Sequence, residues 1–533
     1  MPLAAQTKVV TDRLLRSWLR CRRRAWLDRH GEPSQRLWSA HRTLQLDDQQ
    51  RCFVSLLGKK PGKGEAACAA GAAAVVGMRL VERTAGGLQL EGHPPLLVRL
   101  AGSSRWGEHA YQPALARQGR RLTREHRLVL TLWGRLLAGT QEGTVSHGLV
   151  VAGHGRRQER EQLPLTPALQ RQLEDTLPRL AADLDSRQPP PLVNDRRKCV
   201  LCSWRGACDR EAAALGHLSE VSGVGGKRRE LLIELGLQRL SDLAEADPET
   251  LADGLEVHGE QHREVAAQLV AQARVQQSGL TERLKPAADA APGLAGFSLP
   301  ELNRAEGVLI YDIESDPDAR DDFLHGFLRI RRQADGSWPR QGDGGTYQPV
   351  LALQEHGEAR LWQRLRALLE RHPGWPVLHF GETESIGLTR LALRQGASEL
   401  EVQELRARLV DLHQRLRQHW RLPVNSYGLK AVASWLGFRW SQKGVEGARC
   451  LLWWRQWRGD GTGAGRGSRH NLLRILRYNH DDTLATWAVA AWLLAQDGRP
   501  EPPPAPTGGG VNPAGEEMVK GRGPASSVAS PRA

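Results

Sequence analysis

The stretch GVLIYDIESDPD, Gly307 to Asp318, decides how the C-terminal half of this chain folds. Its unbroken apolar run, Val308 to Tyr311, has the length and composition of a buried strand, and it ends on Asp312 and Glu314. Residues i and i+2 of a strand point to one face, so both carboxylates can meet a single cation. Downstream, WPVLHFGETESIGLTRLA repeats the pattern as a short apolar strand followed by a polar turn with Glu382 and Glu384. The last piece is ILRYNHDDTLATW, Ile475 to Trp487, an amphipathic helix with Leu476, Leu484, Ala485 and Trp487 on its apolar side. Tyr478 precedes Asp482 by one helical turn and shares its face. Adjacent aspartates repel each other, so a surface helix gains little from Asp481 and Asp482. The residues alone leave open whether Asp481 and Asp482 flank a site, face a cation or meet solvent.

In order, these pieces read D-x-E, a carboxylate after a second strand, then Y-x3-D on a late helix. That order resembles the DEDD exonucleases of the RNase H-like fold. The resemblance implies a mixed-sheet domain in which Asp312, Glu314, Glu384 and Asp482 hold two divalent ions, Mg2+ or Mn2+, about 4 Å apart. Asp312 would bridge both ions, and Tyr478 would orient the attacking water. Where the family's second motif offers aspartate, this chain offers Glu384. Between the motifs, LVDLHQRLRQHWRLPVNSYGLKAVASWLGF adds Asp411, either a group behind the ligands or a strand-end cap, and Lys430, assigned to nucleic-acid binding.

The whole chain of 533 residues is long enough for several domains. Its formal net charge of +14, carried mostly by arginine, favours a polyanionic partner, although GC-rich coding also writes arginine by default. No apolar stretch is long enough to span a membrane and no secretory leader opens the chain, so a cytoplasmic protein is expected. Seven cysteines, an odd number, argue against a disulfide framework.

The sequence RRKCVLCSWRGACDRE spaces Cys199, Cys202 and Cys208 as C-x2-C-x5-C, and LLRSWLRCRRRAWLDRHG offers Cys21 as a fourth donor. The flanking Arg20, Arg22, Arg23 and Arg24 are expected to lower the pKa of Cys21. Four thiolates suit zinc or a cubane cluster. One remote cysteine plus a late triplet resembles the iron–sulfur RecB-family nucleases of the PD-(D/E)xK fold, including CRISPR-associated exonucleases. That resemblance implies a 4Fe-4S cluster stapling the two ends of a domain, with Zn2+ as the alternative. The family's catalytic carboxylates and lysine are missing. Pro95 stands at the first aspartate position, and Pro113, Ala114, Leu115, Ala116 and Arg117 cover the second. Glu91 and Glu108 lie out of place, so this domain is expected to be catalytically degenerate, with the basic RQGRRLTREHR still able to hold nucleic acid.

Between the halves, LSEVSGVGGKRRELLIELGLQRLSDLAEADPETLADGL resembles a helix-hairpin-helix. Gly223 and Gly225 would admit a phosphate to the helix amides, with Lys227 and Arg228 as countercharge; the plain alternative is a helix pair with a glycine turn. An α/β multidomain protein is therefore expected. Residues 1–212 form a PD-(D/E)xK-like RecB domain, 215–265 a helix-hairpin-helix and 266–305 a linker. Residues 306–497 form the RNase H-like mixed-sheet domain and 498–533 a disordered tail. The order resembles a bacterial RecB-like nuclease family common in cyanobacteria. It implies a metal-dependent exonuclease acting on DNA ahead of RNA. The alternative is a non-catalytic tethering protein with decayed sites that partners a helicase.

Overall fold

The computed structural model describes residues 8–57, 60–117, 121–153, 158–285, 297–316, 321–340, 344–353, 357–459 and 469–497. The expected tail and most of the Ala/Pro/Gly-rich stretch before Ser298 lie outside these residues.

The C-terminal half is built on a five-stranded sheet in the order Thr346–Leu351, Asp321–Arg331, Gly307–Asp316, Val377–His379, Leu409–Asp411. The first three strands pair antiparallel, and the last two join in parallel. The parallel additions need helical crossovers, supplied by Gly357–Glu370 and by Glu382–Arg394 with Glu399–Arg408. Gly307–Asp316 is covered on both sides, which is why it reads as a continuous apolar run rather than an alternating one. Leu309, Tyr311 and Ile313 pack with Leu361, Leu365 and Leu388 on one side. Val308 and Ile310 pack with Leu412, Trp487 and Val489 on the other. Strand parity then assigns Asp312 and Glu314 to the second side, the one closed by the helix Arg469–Asp497.

The N-terminal half holds a mixed six-stranded sheet ordered Gly62–Lys63, Ala74–Val76, Leu96–Leu100, Ala110–Arg117, His147–Ala152, Glu159–Pro164. The helix Arg124–Gln141 connects the parallel neighbours Ala110–Arg117 and His147–Ala152. Thr123 caps it in a reciprocal pair with His126, and Leu128, Leu132, Trp133 and Leu136 are among its buried residues. The basic stretch read as RQGRRLTREHR falls partly outside the described residues; its described end, Arg124 to Arg127, opens this helix.

A third core belongs to short helices, with Leu231, Leu243, Leu251, Leu255, Leu269 and Val270 at its centre. Residues 266–278, expected as the start of a linker, form the helix Ala266–Ser278 instead. Ala266, Leu269, Val270 and Ala273 bury against the preceding helices, and packing overrides the bland composition.

The helix Ala40–Leu56 reaches across to the C-terminal half. Ala40 and Leu44 share a core with Phe323, Trp453 and Trp454. Beside them Arg455 donates to both oxygens of Asp316, at 2.9 and 2.8 Å, and to Asp48 at 3.2 Å. Among the described residues no helix is long and apolar enough to cross a membrane.

Candidate active site

Ligand atoms of Asp312, Glu314 and Asp482 lie within 4.8 Å of one another. The first two come from the central strand, and the third from the helix packed over that strand's face. Glu314 and Asp482 are buried and Asp312 is half-buried. Burial, followed by the charge of Asp482, pushes both Asp312 and Glu314 well above the carboxylate range. Burial pushes Asp482 up to about 6 against the opposing effects of Trp440, Lys430 and Tyr478. Like charges this close cannot all ionise without a cation between them. Three oxygen donors with this electrostatic demand fit a hard divalent ion such as Mg2+ or Mn2+.

Each ligand is held by a neighbour. Asn479, fully buried, donates to Asp312 Oδ2 at 2.6 Å and accepts from the Tyr347 hydroxyl at 2.7 Å. A Cβ on Gly326 would come within 1.6 Å of Asn479 Oδ1, so glycine there is what lets the amide approach the sheet. The Trp440 indole donates to Asp482 Oδ1 at 2.6 Å. Asp481 is buried rather than solvated, because its Oδ2 accepts from the Ser441 amide at 2.9 Å and hydroxyl at 2.7 Å. The two aspartates thus grip two consecutive residues: Asp481 fixes Ser441, and Trp440 fixes Asp482.

Tyr478 is buried one turn before Asp482, close enough to help hold that carboxylate's pKa down. Lys430, assigned from sequence to nucleic-acid binding, lies beside the carboxylates. Its ammonium sits 4.9 Å from the Tyr478 ring centroid and donates to the Val445 carbonyl at 2.6 Å. There it opposes the charge of Asp312, Glu314 and Asp482.

Glu384 stands outside the three-carboxylate group. It is buried in the first turn of Glu382–Arg394 while Glu382 is exposed. Burial raises it to about 7, with Asp411 and Asp482 adding, and its Oε2 is buried without a hydrogen-bond partner. Asp411 is a strand-end cap: it accepts from the amides of His413 at 2.9 Å and Gly381 at 2.9 Å. Sequence reasoning missed Asn479, Trp440, Ser441 and Tyr347. Asn479 could have been found, since it lies three positions before Asp482 on the same helix face.

In the N-terminal half, the strand Ala110–Arg117 is buried throughout and brings no carboxylate to its end; Arg117 pairs with Glu159 at 3.0 Å. Of the proposed replacements, Glu108 is exposed, and Glu91 is committed to Arg79 at 2.7 Å. Cys21, Cys199, Cys202 and Cys208 line one cavity of about 1160 Å³. Burial raises Cys21, against the sequence expectation, because it outweighs the nearby Arg24 amide and charge. Burial, then Cys202, Cys21 and Cys208, push Cys199 up to about 11. The four thiols share this cavity, but among the described residues the only group of metal-ligating side chains with atoms within 4.8 Å of one another is the three-carboxylate one.

At the expected hairpin, the helix Gly226–Glu234 follows Gly223, whose φ is +91°, with Gly225 as N-cap and no capping side chain. Lys227 is exposed, and Arg228 donates back to the Gly223 carbonyl at 2.8 Å. Gly226 is required for another reason, since its Cβ would meet Asp195 Cβ at 2.9 Å.

Residues 309–494 match the family model RNase_H_2, of the RNase_H superfamily. The sheet order, the helix-closed carboxylate face and this match agree, and the C-terminal half is an RNase H-like domain. No curated protein matches the chain.

Proposed function

We propose that the protein is a metal-dependent exonuclease that hydrolyses terminal phosphodiester bonds of DNA, ahead of RNA, at its C-terminal site. The observation carrying this reading is the Asp312–Glu314–Asp482 group, with ligand atoms within 4.8 Å of one another and Tyr478 one helical turn before Asp482. Mg2+ or Mn2+ held by these carboxylates would supply an activated water and neutralise charge on the phosphate. Asn479 keeps Asp312 turned toward the group, Trp440 does the same for Asp482, and Tyr478 is placed to orient water. Glu384, buried beyond the three-carboxylate group, is the fourth carboxylate of this set.

In the same reading the N-terminal half is a RecB-like nuclease frame that has lost its catalytic carboxylates. Its four cysteines hold a 4Fe-4S cluster, or Zn2+, as a structural staple. The 215–265 region contacts nucleic-acid backbone through its glycine turn. The alternative, a tethering protein working beside a helicase, draws support from the missing carboxylates at the end of Ala110–Arg117.

The deciding experiment is degradation of end-labelled single-stranded DNA and RNA with Mn2+ by the native chain, Asp312→Asn and Asp482→Asn. Loss of cleavage in both variants, by at least about a thousandfold, is expected with nucleic-acid binding retained. Cleavage surviving both substitutions would move the chemistry to the N-terminal half. Binding without cleavage by the native chain would establish the tethering alternative.

A further inference from the structure

The cavity lined by the four thiols is larger than a metal centre needs, and arginines line it as well. Arg13, Arg16 and Arg20 project from the helix Asp12–Arg20 at spacings of three and four, which stacks them on one face. Arg42, from the helix Ala40–Leu56, lines the same space. Glu125 is shared by Arg20, at 2.5 and 2.9 Å, and Arg16, at 3.4 Å. Arg13 and Arg42 are exposed, and no ion pair or hydrogen bond of either guanidinium is seen among the described residues.

The acidic residues of the lining are Asp12 and Asp195, and Asp12 already accepts from the Trp133 indole at 2.9 Å. The wall beside them is neutral: Pro95, Leu115 and Ala116 stand there. Burial and then Arg16, Arg20, Arg24 and Arg13 pull Arg42 below its usual value. Like charges gathered around a cavity are stabilised by an anion placed among them. About 1160 Å³ exceeds the usual small-ligand pocket and suits several nucleotides of a single strand.

We propose that this cavity is a metal-free clamp for the phosphodiester backbone of a single-stranded nucleic acid, gripped by Arg13, Arg16, Arg20 and Arg42. The helix Ala40–Leu56 gives the clamp its direction. His41, Arg42 and Gln45 line the cavity, while Ala40 and Leu44 pack on the RNase H-like domain. A strand held here lies against the element that joins the two halves. The choice of ligand rests on the nuclease reading; the existence of an anion clamp does not.

The test is binding of a short fluorescein-labelled oligothymidylate to the full chain in EDTA, across a salt series. Arg13→Glu with Arg42→Glu is compared with Arg171→Glu with Arg187→Glu. The latter makes the same charge change at exposed arginines outside the cavity. The cavity pair is expected to weaken binding about tenfold more than the control pair. It also lowers the salt slope by about 1.4, from two lost phosphate contacts. Equal affinities and slopes in the two double variants overturn the proposal. Photo-crosslinking of an iodouridine oligonucleotide to the unmutated chain checks it without substitutions. Crosslinks in 12–24 and 36–49 support the clamp, and crosslinks confined to other segments overturn it. Asp312→Asn is carried in parallel. Cleavage that vanishes while clamp binding stays intact separates the two sites, and a native chain that binds but never cleaves sinks only the nuclease reading.

Discussion

Asn479 does more for the active site than its neutral side chain suggests. It joins Tyr347 on the outer strand to Asp312 on the central one, and the missing Cβ of Gly326 makes room for it. Without it, Asp312 loses its fixed rotamer but keeps its charge. Asn479→Ala should therefore lower kcat by about 10–100-fold with little change in KM, as removal of a group behind a metal ligand does. A KM rise at constant kcat would show that Asn479 acts on substrate binding instead. At this scale the sequence was informative where chemistry repeats at fixed spacing. D-x-E on a strand and Y-x3-D on a helix named Asp312, Glu314, Tyr478 and Asp482 directly. Trp440 and Tyr347 were invisible because they arrive through tertiary contacts from segments with no periodic signal. That Lys430 faces carboxylates is not legible from a lone lysine in the sequence.

Buried histidines set a second residue-scale expectation. Burial lowers both His217 and His325 to about 4, and His325 also shares a 2.8 Å hydrogen bond with Tyr311. The unfolded chain takes up these protons near pH 6.5, before the folded one does. Their contribution to stability is therefore whole above about pH 6.5 and lost as pH falls toward 4. The raised carboxylates Glu384 and Asp482 oppose this by gaining protons in the folded state first, so the histidine effect is read as a difference. From pH 6.5 to 4 the melting midpoint of His325→Gln should change in a more favourable direction than that of the native chain.

Among the elements, the segment carrying Trp440 and Ser441 is tied to the long helix by reciprocal contacts with Asp481 and Asp482. Asp481→Ala releases Ser441 and lets Trp440 wander, while leaving the three ligand carboxylates in place. Metal affinity by calorimetry should stay near native and kcat should drop about tenfold. Asp482→Ala, by contrast, should remove measurable metal binding. Equal loss of metal in both variants would make Asp481 a ligand. The strand parity that orients Asp312 and Glu314 was legible because Val308–Tyr311 is an unbroken apolar run. The helix Ala266–Ser278 was not, because its short alanine-rich sequence adjoins a Pro/Gly-rich stretch and its packing partners lie earlier in the chain.

For the whole molecule, the joint between halves runs through Arg455, held by Asp316 on the central strand and Asp48 on the bridging helix. Both aspartates and the arginine are largely shielded from water. Arg455→Met would leave Asp316 buried without this cation. The expected cost is about 3 kcal/mol, read as a lower denaturant midpoint for the C-terminal half. An unchanged midpoint would show that other contacts carry the joint. That residues 309–494 form an RNase H-like domain was legible from motif order. The bridging by Ala40–Leu56 was not, since a mixed polar and apolar helix does not announce which domain it covers.

The closing of the carboxylate face by the last described helix also orders events in time. Asn479 meets Asp312 across 167 positions of chain, and Asp482 follows Asn479. At roughly 5–20 residues per second, the strand carboxylates leave the ribosome on the order of ten seconds before their third partner. Until then the growing polypeptide has a sheet but only two of the three clustered carboxylates.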